Sequence, residues 1–293
     1  MCRAVAPARR GRGAGPACAG APAVPARVGL IPCRWRLPWI RRAWRVSDWN
    51  GWFADADDLW KNASPKEFGV RRFGLLFDLD GTLVDSDALH RSAFAEVLSG
   101  ADVVVDEAYY RSRIAGRSND LVIAEAFPSA SQEYCSILSS KKEAIYRENM
   151  KDIKVIPGAR EIIEWAKSKN ICRAIVTTSP RASVEAVLVG TDLLSSFDLL
   201  VVGDEVQRGK PDPLPYLAAL MKLGIDSDEA VAFEDSLPGL ASATGAGIPT
   251  VGMLASLSER TALLAGAIIT AKDFRDAGLR LWLEERHAAS ASM

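Results

Sequence analysis

Between residues 73 and 253 the chain alternates short apolar runs with longer stretches of helical period. The runs at 74–77, 171–176, 199–202, 230–233 and 250–253 have strand length, are almost continuously apolar and are bounded by turn residues. A strand that is apolar on both faces is covered on both faces, so such strands separated by helices predict a parallel sheet between helical layers. One interval breaks the rhythm. The first two runs stand much further apart than one crossover helix requires, and helical patterns fill the gap at 88–98, 107–113, 119–126 and 131–149. The predicted fold class is therefore α/β: a Rossmann-like doubly wound parallel sheet built from 71–87 and 156–280, with an α-helical domain, 88–155, inserted after its first strand. No internal repeat shows, and no run of about 18 apolar residues suggests a membrane-spanning helix.

The first 70 residues read as an extension to this fold. Residues 1–46 hold six Pro and no Ser, and Pro at that density supplies neither a regular helix nor a packed core. Ten Arg with no acidic residue fit an organellar transit peptide, whereas the lack of Ser does not. A disordered or misassigned start is the alternative reading. The expected location is accordingly cytoplasmic, or a plastid or mitochondrion if residues 1–46 act as a transit peptide. In 48–70, Trp49, Trp52, Phe53 and Trp60 could share one face of a short docking helix.

Charge and composition exclude several classes. The formal net charge of −1 hides the Arg-rich start, which leaves 26 basic against 37 acidic residues in the rest. An acidic body does not suit a protein that tracks phosphate backbones, so nucleic acid is not an expected partner. The five cysteines form no CxxC pair, which removes zinc-ribbon and thioredoxin readings. With two histidines, His90 and His287, no multi-His metal site can be built, and no GxSxG accompanies either. Any metal here is held by oxygen.

Four short segments carry candidate chemistry. In Phe77-Asp78-Leu79-Asp80-Gly81-Thr82-Leu83 two carboxylates stand at i and i+2 where a buried strand ends, the rim at which open parallel sheets bind ligands. An Asx-type turn is the structural alternative; a calcium loop fails because Thr82 and Leu83 occupy positions that need an oxygen ligand and a Gly. Thr177-Thr178-Ser179 places hydroxyls at the second strand's end, where Ser179 would otherwise cap a helix with Pro180 at its first position. Lys210 precedes a Pro-initiated helix and could equally be a solvated lysine. Glu234-Asp235-Ser236 repeats the paired acids at a strand end, with helix capping by Asp235 or Ser236 as its alternative.

In combination the four segments supply what phosphoryl transfer through an aspartyl phosphate requires. One carboxylate attacks phosphorus and a second protonates the departing alkoxide. Carboxylates hold Mg²⁺, while a hydroxyl and a lysine hold the transferring oxygens. The two acids must differ in pKa, the partner of the ionised nucleophile being raised by the neighbouring negative charge.

These motifs, in this order from about Phe73 to Phe274, resemble the haloacid dehalogenase superfamily, in its branch with a helical cap after the first strand. The resemblance implies Asp78 as nucleophile and Asp80 as general acid and then base. It implies Thr177, with Thr178 beside it, as phosphate-binding residues and Lys210 as charge clamp. Asp235, Glu234, Asp78 and the Asp80 carbonyl would be the Mg²⁺ ligands. An acid at Asp80 separates phosphatases from halide-removing relatives, because an alkoxide needs a proton to leave. The inserted helices resemble the cap that closes over substrate, with Arg117 and Ser118 in the loop that dips towards it. His90 matches a histidine that helps time proton transfers in β-phosphoglucomutase relatives. The mutase loop carries a Lys and an Arg where Ala115 and Asn119 stand here, a departure that weighs against that reading. Lys141 and Lys142 look like solvated charges of a helix face, either of which could reach the site.

The expected function is thus a Mg²⁺-dependent phosphatase acting on a small phosphorylated metabolite, a sugar phosphate above all. A β-phosphoglucomutase-like phosphotransferase is the second reading. A non-catalytic binding protein on the same scaffold would have lost at least one of Asp78, Asp80, Lys210 or Asp235, and all four are present.

Overall fold

The computed structural model describes residues 73–291; the Arg-rich extension and the Trp49–Trp60 region lie outside the described residues. Strands β1 (Gly74–Phe77), β4 (Cys172–Val176), β5 (Leu199–Val201), β6 (Ala230–Glu234), β7 (Thr250–Met253) and β8 (Ile269–Ala271) form one parallel sheet in the order β5-β4-β1-β6-β7-β8. Strands β2 (Val84–Asp85) and β3 (Lys154–Val155) pair separately and antiparallel. The sheet is doubly wound. From β1 the chain builds outwards through β4 and β5, then crosses back to β6 on the other side, so β1 lies at the switch point where such sheets bind ligands.

Side-chain alternation divides the core into two layers. Leu75 and Phe77 of β1 pack with Ile162 and Ile163 of α4 (Ala159–Ser168), Val184 of α5 (Arg181–Gly190) and Leu279 and Leu283 of α8 (Ala277–Ala291). Leu76 points the other way, into a cluster with Tyr216 and Leu220 of α6 (Leu214–Leu223) and Ala243 of α7 (Leu237–Gly245). The packed layer therefore runs past residue 280, because Leu279 and Leu283 bury their side chains against the sheet. Strand β8 was too short and too polar (Ile-Thr-Ala) to register as an apolar run.

The insertion consists of α1 (Asp87–Val97), a turn of helix that passes into a π-helical stretch at Tyr110–Ile114, then α2 (Asn119–Ala126) and α3 (Gln132–Asn149). Its core of Phe94, Tyr110, Ile114, Val122, Ile123 and Leu138 is separate from both sheet layers. The chain enters and leaves through the β2–β3 pair, Val84 opposite Val155 and Asp85 opposite Lys154. Among the described residues no helix is long and apolar enough to cross a membrane.

Candidate active site

Register alone brings three strand ends together. Phe77 of β1 pairs with Ile175 of β4 and Phe233 of β6, so the residues that follow (Asp78, Thr177 one step further, Glu234 and Asp235) emerge side by side. The Asp78 amide donates to the Phe233 carbonyl at 3.0 Å, extending the ladder by one residue. Beyond it the chain turns at Gly81, whose φ is +78°. A Cβ at that position would lie 2.2 Å from Asp235 Oδ2. Only Gly accepts both the left-handed backbone and that close carboxylate.

Asp78, Glu234 and Asp235 are buried and offer oxygens within 4.8 Å of one another. Lys210 Nζ donates to Asp78 Oδ1 at 2.6 Å and lies 2.5 Å from Glu234 Oε1, which also accepts from the Tyr216 hydroxyl at 2.5 Å. Glu234 Oε2 is buried with no hydrogen-bond partner among the described residues. It presses so close to Gly239 that a Cβ there would sit 1.7 Å away. Thr82 Oγ1 donates to Asp235 Oδ1 at 3.3 Å, and Ser256 Oγ donates to the Asp235 carbonyl at 2.7 Å. Ser236, not Asp235, caps α7, accepting from the Gly239 amide at 3.1 Å. Three buried carboxylates against one ammonium is a costly arrangement. Burial pushes Asp78 up to about 8, with Glu234 and Asp80 adding and Lys210 opposing. Burial and the charge of Asp78 raise Asp235 well above the carboxylate range, while Asp78 and Glu234 overcome burial and hold Lys210 firmly protonated.

Asp80 turns away from this cluster. Its Oδ1 accepts from Ser86 Oγ at 2.7 Å and the Tyr146 hydroxyl at 3.1 Å, its Oδ2 from Ser179 Oγ at 2.7 Å. His90 Nε2 stands 2.9 Å from Oδ1, close but off the line of a hydrogen bond. Burial works to raise Asp80; His90 and the Ser86 and Ser179 hydroxyls outweigh it and hold the carboxyl well below the usual range. The expected order of the two acids is therefore reversed with protein groups alone: Asp78 is the raised member, because burial dominates there while hydroxyl donors converge on Asp80. Ser179 does not cap α5, whose flanking residue is Pro180 with no side-chain cap; its hydroxyl is spent on Asp80. Thr177 is buried, and its Oγ1 accepts from the Ser179 amide at 3.1 Å.

Helix α3 brings one of the two lysines that looked solvated into the site, together with Glu143 and Tyr146, which the sequence did not single out. Lys142 is buried, with Nζ 2.7 Å from His90 Nδ1 and 2.8 Å from Glu143 Oε1. An ammonium donating to Nδ1 leaves the His90 ring proton on Nε2, the atom facing Asp80. Glu143 accepts from Asn119 at 2.8 Å and from Ser183 of α5, a link between insertion and sheet layer. The His90 ring stacks on Tyr146 with centroids 4.1 Å apart. Lys141 is the solvated one, paired with Glu96 on the surface. The signal was present: Cys135, Leu138, Lys142 and Tyr146 form one buried helical stripe, and Lys142 is its polar member.

Asp78, Asp80, Asp235, Thr177 and Thr178 share a cavity of about 40 Å³ with His90, Lys142 and Arg117. Lys210 and Glu234 support it from behind through Asp78. Ser118 does not line it; the wall there is Ala115, Gly116, Arg117 and Asn119. Arg117 reaches the rim, but its guanidinium is held by Glu125, with Nη1 2.8 Å from Oε2.

The family model for haloacid dehalogenase-like hydrolases matches residues 75–253. The phosphorylated carbohydrates phosphatase of Thermotoga maritima is 34% identical over 205 residues, 68% of this chain and 93% of that protein. The phosphoglycolate phosphatase of Rhodospirillum rubrum is 30% identical over 70% of this chain and 88% of its own length. Among solved structures, CbbY from Rhodobacter sphaeroides in complex with phosphate superposes with a TM-score of 0.63 at 30% identity, covering 70% of this chain and 96% of that one.

Proposed function

The chain belongs to the haloacid dehalogenase-like hydrolase family and is a phosphoric monoester hydrolase, and we propose that it is a Mg²⁺-dependent phosphatase of a small sugar phosphate, acting through an aspartyl phosphate on Asp78. The observation that carries this reading is the convergence of Asp78, Asp80, Thr177, Lys210 and Asp235 at the carboxyl end of the sheet.

Whether the site suits a divalent ion is tested by its own chemistry. Three buried carboxylates of hard oxygen are poorly neutralised by one lysine, and Glu234 Oε2 lacks a partner among the described residues, which is the donor set Mg²⁺ takes. Asp78, Asp235 and the Asp80 carbonyl would hold the ion, with Glu234 beside them. When bound, it would keep Asp78 ionised and withdraw charge from the phosphoryl oxygens. The Thr177 and Thr178 groups then hold the non-bridging oxygens, with the Lys210 charge acting on them from behind Asp78. An Asp78 oxygen forms the new bond to phosphorus as the bond to the alkoxide breaks, and Asp80, having taken up a proton from solvent when a leaving-group oxygen replaces its Tyr146 donor, passes that proton to the alkoxide. Asp80, now ionised as its hydroxyl partners favour, takes a proton from water, whose oxygen attacks phosphorus and frees both phosphate and Asp78. The cavity of about 40 Å³ has room for water but not for a sugar phosphate, so the inserted helices must lift to admit substrate.

Two experiments probe this reading. Incubation with a panel of phosphosugars and Mg²⁺ should release inorganic phosphate; an isomeric phosphosugar instead would establish the phosphotransferase. Asp80→Asn should slow hydrolysis of alkyl phosphates about 10²–10⁴-fold and that of nitrophenyl phosphate far less, since nitrophenolate leaves without a proton. Equal losses on both substrates would remove the acid role.

A further inference from the structure

Among the described residues two cations, Arg117 and Lys142, line the cavity together with the His90 imidazole, and each is already committed. Arg117 is bound to Glu125 and to the Arg113 carbonyl, and Lys142 to Glu143 and His90. His90 lies between Lys142 and Asp80. Against them stands a carboxylate that the phosphoryl chemistry does not use. Asp87, the first residue of α1, lines the cavity and accepts from the Tyr110 hydroxyl at 2.9 Å through Oδ1. That bond joins α1 to the π-helical stretch and sets the Asp87–Tyr110 pair in the wall contributed by the inserted helices.

Resting on the phosphatase reading above, we infer that the Asp87–Tyr110 pair selects the leaving group: it accepts a hydroxyl-bearing, uncharged one and rejects a substrate with a second phosphate. A carboxylate and a phenol recognise alcohol groups by hydrogen bonding, and a site built to bond a hydroxyl discriminates sharply against a group that cannot satisfy it. A second phosphate would face Asp87 with no uncommitted cation among the described lining residues to neutralise it. Like charges brought together in a closed site are strongly penalised. The pair is thus a specificity determinant and takes no part in bond making.

The test compares kcat/KM of the full chain with Mg²⁺ on fructose 1-phosphate, fructose 6-phosphate and fructose 1,6-bisphosphate, with nitrophenyl phosphate as a control for the phosphatase reading itself. The better monophosphate should exceed the bisphosphate by about tenfold or more. Asp87→Asn keeps the acceptor for Tyr110 but removes the charge, and should shrink that ratio about tenfold, chiefly through the KM of the bisphosphate. The read-out is a ratio, so a general loss of turnover cancels. Tyr110→Phe retains the charge and should retain the rejection. A bisphosphate cleaved as well as the monophosphates, a ratio unmoved in Asp87→Asn, or activity confined to nitrophenyl phosphate overturns the inference and leaves the phosphatase reading standing. No release from any of the four substrates overturns both.

Discussion

Asp78→Asn should abolish turnover, lowering phosphate release from nitrophenyl phosphate by on the order of 10⁴–10⁶-fold, the scale lost when a nucleophile is removed from an enzyme site. The variant should nevertheless fold. The substituted side-chain amide keeps a carbonyl oxygen near Lys210, and Lys210 keeps Glu234 at 2.5 Å. The metal-free variant should melt higher than the parent, because one of three crowded buried carboxylates is gone. Loss of activity with a raised Tm identifies a functional carboxylate. Loss of activity with a lowered Tm would point instead to a structural role for Asp78, and near-full activity would remove the nucleophile assignment.

Chelation with EDTA should have an effect of similar size, and pH should tune it in a determined direction. Burial holds Asp78 at about 8 and, with the charge of Asp78, raises Asp235 well above the carboxylate range in the protein alone. Asp78 therefore carries a proton near neutrality, although an unfolded chain would have lost it close to pH 4, and the rise of Asp235 acts in the same direction. Between those limits the folded state binds more protons than the unfolded state, so the stability of the metal-free protein falls as pH rises. Mg²⁺ requires the ionised carboxylates; its binding should release protons and tighten with pH from 6 to 8. Calorimetry in buffers of different ionisation enthalpy measures the proton count, and melting curves with and without Mg²⁺ measure the stabilisation. An affinity that is independent of pH, or activity that survives chelation, would show that this cluster is not the metal site.

The reversal of the two aspartates' order carries a further consequence. Asp80 owes its ionisation first to His90 of α1 and then to the hydroxyls of Ser86 and Ser179, from the strand neck and the second strand loop, and its Oδ1 also accepts from the Tyr146 hydroxyl of α3. Lifting the inserted helices would take Tyr146 away, and a leaving-group oxygen arriving in its place would supply an acceptor instead of a donor. The acid strength of Asp80 is thereby tied to the position of the inserted helices, a coupling that resides in contacts between residues 66 apart in the chain.

Much of this was legible in order along the chain. Five apolar runs predicted five of the six strands of the main sheet, since a strand buried on both faces has to be apolar throughout. The helix at Asn119–Ala126 begins and ends where its pattern did, and the pattern at 131–149 became α3 with Ser131 as its cap instead of its first residue. The paired acids, the hydroxyl-bearing turn and Lys210 stood out because each marks a strand end or a helix start. What failed to show was any partner chosen by packing. Lys142 resembled its exposed neighbour Lys141, yet one turns inward to His90 and the other outward to Glu96. Ser179 had a local use as a cap and was taken by a distant one. Asp87 and Tyr110, 23 residues apart, meet where α1 lies against the first residue of the π-helical stretch.

Alternation of apolar runs and helical periods, and the type of residue at each strand end, are properties of neighbours along the chain, and from these the sequence alone determined the doubly wound sheet, the inserted helices and which residue types stand in the four motifs at its rim. Which carboxylate gathers protons and which loses them, which lysine is buried, and what faces the leaving group depend on burial and on donors contributed by remote segments. Local pattern holds no record of those distances, so the tertiary structure alone decided them.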